Sequence, residues 1–297
     1  FEGYTRAASK KKWLEVHGGS HWAPFYTDYG VKLQKRFFDF FLKGKQNGWD
    51  RQPRGLLWVR PPREKFVRRE ENEWPLKRTK WTKFYLDPQG MRLSDKPVSS
   101  EKSVSYEGLG EGVTFSTPPL AKATEITGPS ALKLWVSSAT VDADIFAVLR
   151  VFDPAGKEVV FQGALDPHTP IGQGWLRASN RKLDKKLSRP YRPYHTHDRK
   201  QPLAPGRVYE LDVEIWPTCI VVPKGYRIAL TIRGKDYEYG GASGGKLSNF
   251  KNELTGCGPF LHNDPRDRPP TIFGGTTGLH FSHSRAAYLL LPIIPPK

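Results

Sequence analysis

Cysteine is almost absent from the sequence, which has only Cys219 and Cys257 among its 297 residues. Two cysteines can form one bond at most, which excludes the disulfide-dense class of small extracellular domains. The low count is typical of a reducing compartment, and we therefore expect a cytoplasmic protein. Long uncharged apolar runs and a signal-peptide pattern are also missing, so no segment of this sequence is expected to span a membrane.

Methionine is equally scarce, and the single one is Met91. The sequence begins at Phe1, inside a patterned segment, which indicates a piece of a longer chain. Its length allows one large domain or two ordinary ones with a sizeable core.

Acidic residues are outnumbered, 30 against 47 lysines and arginines, which gives a formal net charge of +17. A nucleic-acid-binding protein gathers its basic residues on one face, where they neutralise phosphates. The basic residues here occur in short clusters at residues 10–12, 68–69, 77–80 and 181–186. Glu70, Glu71 and Asp184 interrupt or flank these clusters, a pattern typical of solvated loops. Nucleic acid is therefore not the expected partner, and charge-driven binding is kept only as a third hypothesis.

The first 45 residues predict a strand, a turn and a helix. Apolar side chains at residues 13–16 favour a short strand, which a Gly-Gly pair ends. Thr27 or Asp28 can cap a helix that reaches Gly44, and its aromatic stripe RFFDFFL is interpreted as a core-facing surface. One such unit cannot bury both faces of a sheet, so residues 1–45 are assigned to the end of an α/β domain.

The remainder of the chain has a β texture. Residues 46–80 are rich in Gly, Pro and charge and predict a connecting segment, with a short apolar run at 56–59 that can form a strand. Short runs such as KFYLD, DIFAVLRVFD and RIALTIRG then alternate with turn residues, and residues 153–156, Asp-Pro-Ala-Gly, predict a hairpin turn. Long helical periods are absent. Residues 81–297 are therefore expected to form an all-β jelly-roll sandwich.

Two histidines, His17 and His21, flank a Gly-Gly-Ser turn after the first strand. In α/β-hydrolases the catalytic residues follow the order Ser, acid, His, and the His lies on a loop after a late strand. A C-terminal part of such an enzyme would keep only the His, which takes the serine proton and returns it to the leaving group. Alternatively, both histidines are ordinary loop or core residues, and the short pattern leaves the two interpretations open.

Long motifs follow one another along the whole chain. They are FEGYTRAAS, KKWLEVHGGSHWAPFYTDYG, REENEWPLKRTKWTKFYLD, ALKLWVSSATVDADIFAVLRVFDPAGKEV, GWLRASNRKLD, PLAPGRVYELDVEIWPTCIVVPKGYRIALTIRG, DPRDRPPTIFGGTTGLHF and AAYLLLPIIP. In this order they resemble the C-terminal part of the CocE/NonD hydrolases, the family of cocaine esterase and the bacterial Xaa-Pro dipeptidyl-peptidases. The first three are similar to the family's final hydrolase strand, histidine loop and entry into the β domain, and the others to its jelly roll. The fold implied is an α/β-hydrolase remnant, its last strand and helix, followed by a jelly-roll sandwich.

The resemblance implies roles for particular residues. The family's commonest loop has Gly-Pro-Trp-Ser-His after the strand. Aligned with this loop, His21 stands at the catalytic position and His17 at the position of the Gly. This chain has Gly-Gly where that loop has Pro-Trp. Trp22 is a substrate-pocket candidate, with ordinary burial as the alternative. The catalytic Asp, the nucleophilic Ser and the oxyanion-hole Tyr are expected upstream. Asp28 and Asp39 follow the His, the wrong order for the acid, and are interpreted as a helix cap and a solvated helix residue.

The function implied is a serine hydrolase that cleaves ester or amide bonds, Xaa-Pro dipeptidyl bonds included, through an acyl-enzyme. No cofactor and no metal are implied. The expected partners are the upstream α/β-hydrolase and cap region, on the same polypeptide or a companion chain, and a small ester or peptide substrate. This chain alone is expected to be inactive, and a homo-oligomer is left open. The alternative function is a non-catalytic β-sandwich binding module.

A second motif, at residues 241–245, matches G-x-S-x-G around Ser243, and Asp264 and His283 follow in the right order. A working nucleophile elbow needs a strand-to-helix turn of a parallel sheet, with further βα units after it. The sequence after Ser243 is too short and too rich in Gly and Pro for that. The motif is therefore interpreted as a flexible loop between strands.

Three further groups receive structural interpretations. His195 and His197 lie between irregular flanks without a third ligand at a supporting spacing, so no metal site is expected there. Trp175 and Arg177 are interpreted as packing and domain-contact residues. Many relatives have His where this chain has Asn180, which is given no role.

Overall fold

The structure is a computed structural model that describes residues 1–62, 65–246 and 252–296. The helices are α1 (Glu2–Arg6), α2 (Ala23–Tyr26), α3 (Asp28–Lys43) and α4 (Pro270–Phe273). The strands are β1 (Leu14–Val16), β2 (Gly55–Val59), β3 (Val67–Glu71), β4 (Lys80–Asp87), β5 (Arg92–Ser94), β6 (Lys102–Glu107), β7 (Val113–Ser116), β8 (Thr124–Ser138), β9 (Asp144–Phe152), β10 (Gly172–Arg177), β11 (Tyr209–Val222), β12 (Arg227–Arg233), β13 (Thr276–Phe281) and β14 (Tyr288–Ile294). No helix in these described ranges is both long and apolar enough to cross a lipid bilayer.

The N-terminal segment folds in the predicted order of strand, turn and helix. The Thr27 hydroxyl accepts the N–H of Gly30 and caps α3, and Gly44 ends the helix in the left-handed conformation. Strand β1 pairs in parallel with β2, and β2 pairs antiparallel with β3. The run at 56–59, expected as a possible strand of the connecting segment, thus completes a β-α-β unit with β1 and α3.

The aromatic stripe on α3 is buried only in part. Phe37 packs edge-on against Trp13 and Trp49, which confirms the prediction for that side of the helix. Phe38 and Leu42 point outward, and Leu42 is 76 % exposed. The stripe is therefore a core-facing surface along one edge and an uncovered apolar surface along the other.

The strands from β4 to β14 form the β sandwich predicted from the sequence. They are hydrogen-bonded in the order β10-β9-β12-β7-β5-β4-β14-β8-β13-β6, and β11 pairs with β8. Strand β10 packs on β11, where a Cβ on Gly174 would lie 2.0 Å from the carbonyl oxygen of Glu214. Only glycine allows so close an approach of two backbones.

One large core fills the sandwich. In β11 the side chains of Leu211, Val213 and Ile215 are buried and alternate with less buried neighbours, the period of two expected for a strand with one covered face. The turn at 153–156 also forms as predicted, because the Asp153 carboxylate accepts the N–H groups of residues 155 and 157. Strand composition and turn chemistry together produce this part of the fold.

Two contacts join the three-stranded sheet to the sandwich. Arg60, directly after β2, exchanges backbone hydrogen bonds with β11: its N–H donates to the Cys219 carbonyl, and its carbonyl accepts the N–H of Val221. On β3, the Arg69 guanidinium donates two hydrogen bonds, of 2.8 and 2.7 Å, to the Glu125 carboxylate on β8. The histidine turn after β1 is consequently held in a fixed position relative to the sandwich.

Candidate active site around His21

The turn after β1 requires both of its glycines. A Cβ on Gly18 would lie 2.0 Å from the ring of Phe66, and Gly19 adopts a φ of +84°, which favours glycine. The Gly-Gly pair that replaces Pro-Trp thus allows the chain to turn tightly under an aromatic ring. The turn carries His17 at its start and His21 at its end.

His21 is fixed through its backbone and exposed through its ring. Its N–H donates a 2.8 Å hydrogen bond to the carbonyl oxygen of Ala164, which lies in the loop between β9 and β10. Within the described part of the chain, neither ring nitrogen of His21 is hydrogen-bonded. An imidazole held by its backbone, with both ring nitrogens unengaged, can accept a proton at one nitrogen while a partner holds the other.

A cleft of about 320 Å³ opens beside His21. One wall comes from the three-stranded sheet and its following segment, including Trp58 and Trp74. The opposite wall comes from the sandwich, including Ala164 and Cys219. The β domain therefore forms part of the surroundings of the histidine and does not merely follow it in sequence.

His17 is oriented differently from His21. Its Nδ1 lies 3.2 Å from the carbonyl oxygen of Gly18, so that this nitrogen carries the hydrogen and donates it within the turn. One of its two nitrogens is therefore already engaged by the local backbone. The two histidines thus differ in their hydrogen bonding, and the assignment of His21 as the catalytic one stays a prediction.

Trp22 follows His21 directly, and the two rings meet edge to face with centroids 5.6 Å apart. The Trp22 side chain is 57 % exposed and is not among the described residues that line the cleft. The alternative of ordinary burial is thus wrong for Trp22 in this chain. Its role in a substrate pocket stays a prediction.

The two carboxylates of α3 lie away from the turn. Thr27, not Asp28, caps the helix, and Asp28 occupies the first turn. Asp39 is buried, which corrects its interpretation as a solvated residue: Lys35 and Lys43 approach it to 2.6 and 3.0 Å. The hydrogen bonds from these two lysines, Lys35 first, hold the pKa of Asp39 well below its usual range. Lysines one turn before and one turn after an acid are the signal that could have indicated this cluster.

The second G-x-S-x-G motif does not form an elbow. Ser243 lies in an exposed loop after β12, and its hydroxyl accepts the N–H of Gly245. Asp264 is paired with Arg266 at 2.6 Å, and His283 lies in the turn between β13 and β14. The prediction of a loop is confirmed for residues 241–245, whereas residues 247–251 of the following LSNFKNEL run lie outside the described residues.

The remaining histidine pair lies in a loop of the sandwich. The rings of His195 and His197 are 6.1 Å apart, and the pKa of His195 is lowered by burial and by the charge of His197. Across the residues that the structure describes, no three His, Cys, Asp or Glu side chains are grouped to hold a metal ion.

Trp175 and Arg177 make packing and ionic contacts. Trp175 lies edge-on to Trp216, with ring centroids 5.1 Å apart. Arg177 pairs with Asp144 at 2.9 Å and with Asp267 at 3.0 Å, and these hydrogen bonds raise the pKa of Arg177. Both residues thus make packing contacts between segments of the sandwich, and the domain contact predicted for them stays a prediction.

The contact that sequence reasoning missed is the one between His21 and Ala164. It joins two backbone groups, and backbone groups have no side-chain signature in a sequence. The nearest signal is Asp166, two residues after Ala164, whose side chain is buried. A buried acid is rare enough to indicate that the loop has a fixed shape.

The comparison with protein families gives one match, at residues 47–287, to the X-Pro dipeptidyl-peptidase C-terminal non-catalytic domain. The match covers the connecting segment and nearly all of the sandwich. It ends directly before β14 and begins after the histidine turn.

Individual relatives show the same similarity, and one solved structure covers nearly the whole chain. A putative serine esterase of Mycobacterium tuberculosis is 28 % identical over 189 residues, which are 62 % of this chain and 24 % of that protein. A putative Xaa-Pro dipeptidyl-peptidase of Streptomyces avermitilis is 25 % identical over 277 residues, with 76 % of this chain and 38 % of that protein covered. The crystal structure of a CocE/NonD family hydrolase from Staphylococcus aureus superimposes with a TM-score of 0.86 at 27 % identity, over 99 % of this chain and 51 % of that one. The chain spans about a quarter to two fifths of the length of these two curated relatives.

Proposed function

Because the chain belongs to the family of X-Pro dipeptidyl-peptidase C-terminal domains, as the C-terminal part of a CocE/NonD hydrolase, we propose that His21 is the general base of a serine hydrolase. The observation that carries the proposal is the setting of His21. It lies on a fixed turn after a strand of a parallel pair, beside a cleft, with both ring nitrogens unengaged in the described residues.

The chemistry follows the general scheme of acyl transfer. A serine hydroxyl supplied by the upstream region gives its proton to one ring nitrogen of His21 while its oxygen attacks the carbonyl carbon of the substrate. The protonated ring then returns the proton to the leaving alcohol or amine, and an acyl-enzyme remains. Water, deprotonated by the same ring, releases the acyl group. An upstream Asp would hold the other ring nitrogen and fix the tautomer.

The surface of the N-terminal segment supports an upstream partner domain. Several large apolar side chains of this segment are exposed, among them Phe25 and Tyr26 on α2 and Val31, Phe38 and Leu42 on α3. Several exposed apolar side chains on two consecutive helices are typical of a domain interface. We assign them to contact with the body of an α/β-hydrolase domain, of which β1 and α3 would be the last strand and helix.

The proposed substrate is a small ester or an amide, Xaa-Pro dipeptides included. The support is in the relatives, which are named as a serine esterase and an Xaa-Pro dipeptidyl-peptidase. The sandwich is proposed to be a jelly roll that packs against the hydrolase and cap regions. The chain by itself is proposed to be inactive, because a general base without its nucleophile contributes little. Both cysteines are free, in keeping with the proposed cytoplasmic location.

The test is His21→Ala in the whole polypeptide that carries this chain, with hydrolysis of a p-nitrophenyl ester as the assay. We expect kcat to fall on the order of 10⁴-fold or more, the size of loss seen when a triad histidine is removed. The matched variants are His17→Ala, on the same turn, and Ser243→Ala, in the decoy motif. Both should keep kcat within a few-fold of the unmodified enzyme.

Three results would contradict the proposal. Unchanged hydrolysis by a folded His21→Ala variant would remove the histidine from the mechanism. Loss of hydrolysis in Ser243→Ala, with circular dichroism unchanged, would place the nucleophile in the sandwich instead. Ligand binding by the isolated chain without any hydrolysis by the whole polypeptide would favour the binding-module alternative.

A further inference from the structure

We propose that the β sandwich takes part in catalysis by positioning His21, and that Asp166 is the positioning residue. The inference rests on the proposed role of His21 and extends it to a domain whose family is described as non-catalytic. It depends on a continuous set of short contacts between the sandwich interior and the histidine turn.

The first contact is the hydrogen bond from the His21 N–H to the Ala164 carbonyl, of 2.8 Å. Among the described residues, His21 makes this one hydrogen bond to the sandwich. The position of its ring relative to the cleft therefore follows the position of the loop that contains Ala164. A displacement of this loop displaces the proposed base.

The loop at residues 161–169 is closed at its base. Phe161 and Thr169 exchange two backbone hydrogen bonds of 2.9 Å, and the Thr169 hydroxyl donates to the Phe161 carbonyl. Inside the loop, the Gly163 N–H donates to the Asp166 carbonyl at 2.7 Å, which forms the turn that presents Ala164. The loop is thus a small structured unit, and its tip points toward the His21 turn.

The Asp166 side chain anchors this unit to the rest of the sandwich. It is 1 % exposed, and its Oδ1 accepts the N–H of His168. Its Oδ2 accepts the N–H groups of Gly256 and Gly258, at 2.7 and 3.1 Å. A buried carboxylate that accepts three backbone hydrogen bonds is strongly held, because each bond is charge-assisted. Its removal would leave three N–H donors without this partner, of which that of Gly256 is buried and those of His168 and Gly258 are half-buried.

The second loop, at residues 256–258, is itself rigidly placed. Gly256 has a φ of +111°, and a Cβ there would lie 2.3 Å from the ring of Tyr237, which is fully buried. Tyr237, Gly256, Asp166, Ala164 and His21 are thus linked by contacts that leave little freedom. The chemistry of a general base depends on its position to within a fraction of an ångström, and a misplacement of 1 Å can lower the rate about 10²-fold.

The first test is Asp166→Ala in the whole polypeptide, with active sites counted by the pre-steady-state burst of p-nitrophenolate. We expect kcat per active site to fall about 10²-fold. The value of kcat per active site should fall less in Asp166→Asn, because Asn keeps one acceptor oxygen. We also expect the pH profile of kcat/KM to change in Asp166→Ala, because this profile reports the surroundings of the catalytic base.

The matched control is Asp142→Ala. Asp142 also accepts two backbone N–H groups in the sandwich, those of Ala143 and Ser179, both at 2.9 Å, and none of these residues lines the His21 cleft. This variant should lose stability and keep both kcat per active site and the pH profile. A purely structural Asp166 would behave in the same way.

A second pair of variants keeps the proposal testable if Asp166→Ala does not fold. In Gly163→Ala the new methyl would lie 2.5 Å from the Cγ2 methyl of Thr169, so the turn that presents Ala164 must shift. Adding Thr169→Ser removes that methyl and keeps the hydroxyl that donates to Phe161. We expect Gly163→Ala to lower kcat per active site and the double variant to recover most of the loss.

The outcomes separate this inference from the proposed function. If His21→Ala is inactive while Asp166→Ala and Gly163→Ala keep the full kcat and an unmoved pH profile, the positioning role is wrong and the base assignment stands. If His21→Ala keeps its activity, the base assignment fails, and the positioning role fails with it.

Discussion

The ion pair between Arg69 and Glu125 provides the most direct test of how the three-stranded sheet is attached to the sandwich. The pair is bidentate, at 2.8 and 2.7 Å, and the two side chains are 22 % and 16 % exposed. We consider the variants Arg69→Met and Glu125→Gln, singly and together. Gln at position 125 keeps an acceptor for the Thr127 hydroxyl, which donates to Glu125 at 2.7 Å, so that the change removes chiefly the charge.

The expected coupling free energy is about 1.5 kcal/mol, because hydrogen bonds between charged groups contribute about 1.5–3 kcal/mol and partial exposure lowers that value. Arg69 also lies 2.7 Å from Glu71, and that contact is lost in both Arg69→Met variants, so it cancels in the cycle. The assay is urea unfolding of the four proteins, followed by tryptophan fluorescence. The coupling free energy is the sum of the destabilisations of the two single variants minus the destabilisation of the double variant.

The control is the pair of Lys77 and Glu73, 3.2 Å apart, in which the Lys77 side chain is 89 % exposed. Its coupling should be about 0.3–0.5 kcal/mol, and 1 M NaCl should remove most of it. The coupling of Arg69 and Glu125 should persist in the same salt. A value below about 0.5 kcal/mol for Arg69 and Glu125, or equal salt sensitivity of the two pairs, would refute the claim that this ion pair fastens the sheet to the sandwich.

Three further expectations concern the turn, the cysteines and acid stability. Gly18→Ala should destabilise the protein by about 1–3 kcal/mol through overlap with Phe66, and Phe66→Ala should remove most of that loss; equal melting-temperature shifts in both backgrounds would contradict the steric explanation. Burial raises the pKa of Cys219 to about 11 and that of Cys257 to about 12, so a disulfide reagent at pH 8 should react about 10²-fold more slowly with the folded protein than with the urea-unfolded one. Burial alone would raise the pKa of Glu71, yet two neighbouring arginines leave it below its ordinary value of 4.5. The contribution of Glu71 to stability is therefore present above pH 4.5 and is lost as the pH falls through the lowered pKa. The urea concentration at half-unfolding should decrease as the pH is lowered below about 4.5. This decrease should be less steep in Glu71→Gln.

The prediction from sequence succeeded wherever a short stretch decides its own conformation. Thr27 and Gly44 limit α3 because a hydroxyl satisfies a free N–H at one end and a glycine accepts a positive φ at the other. The Asp153 turn formed for a similarly local reason. The apolar residues of β11 alternate in the sequence, and the strand buries the alternate side chains on one face.

It failed where the surroundings of a residue come from distant parts of the chain. Asp39 is an exception to this rule, because it was expected in solvent and is buried beneath lysines of its own helix, one turn before and one turn after it. Burial was one interpretation of Trp22, yet its side chain is 57 % exposed, because the described residues do not cover it. Burial is a property of the folded structure. The residue type alone indicates only the average exposure of residues of that type.

The candidate site shows the same division. The sequence identified His21 by its motif and by the order of the chain, and it distinguished His21 from His17 by comparison with the family loop. The structure added the two required glycines, the engaged nitrogen of His17 and the cleft of about 320 Å³. None of these follows from spacing alone, since each depends on where Phe66 and the sandwich loops lie.

The sequence by itself determined the kinds of elements and their order and singled out His21 as the proposed base, because these depend on local conformational preference and on motif. Only the tertiary structure decided that this histidine rests on Ala164 and that a buried Asp166 holds the supporting loop. The physical reason is that the contact joins backbone groups of residues far apart in the chain. Such hydrogen bonds are specified by the geometry of the whole fold and have no side-chain pattern from which they could be predicted.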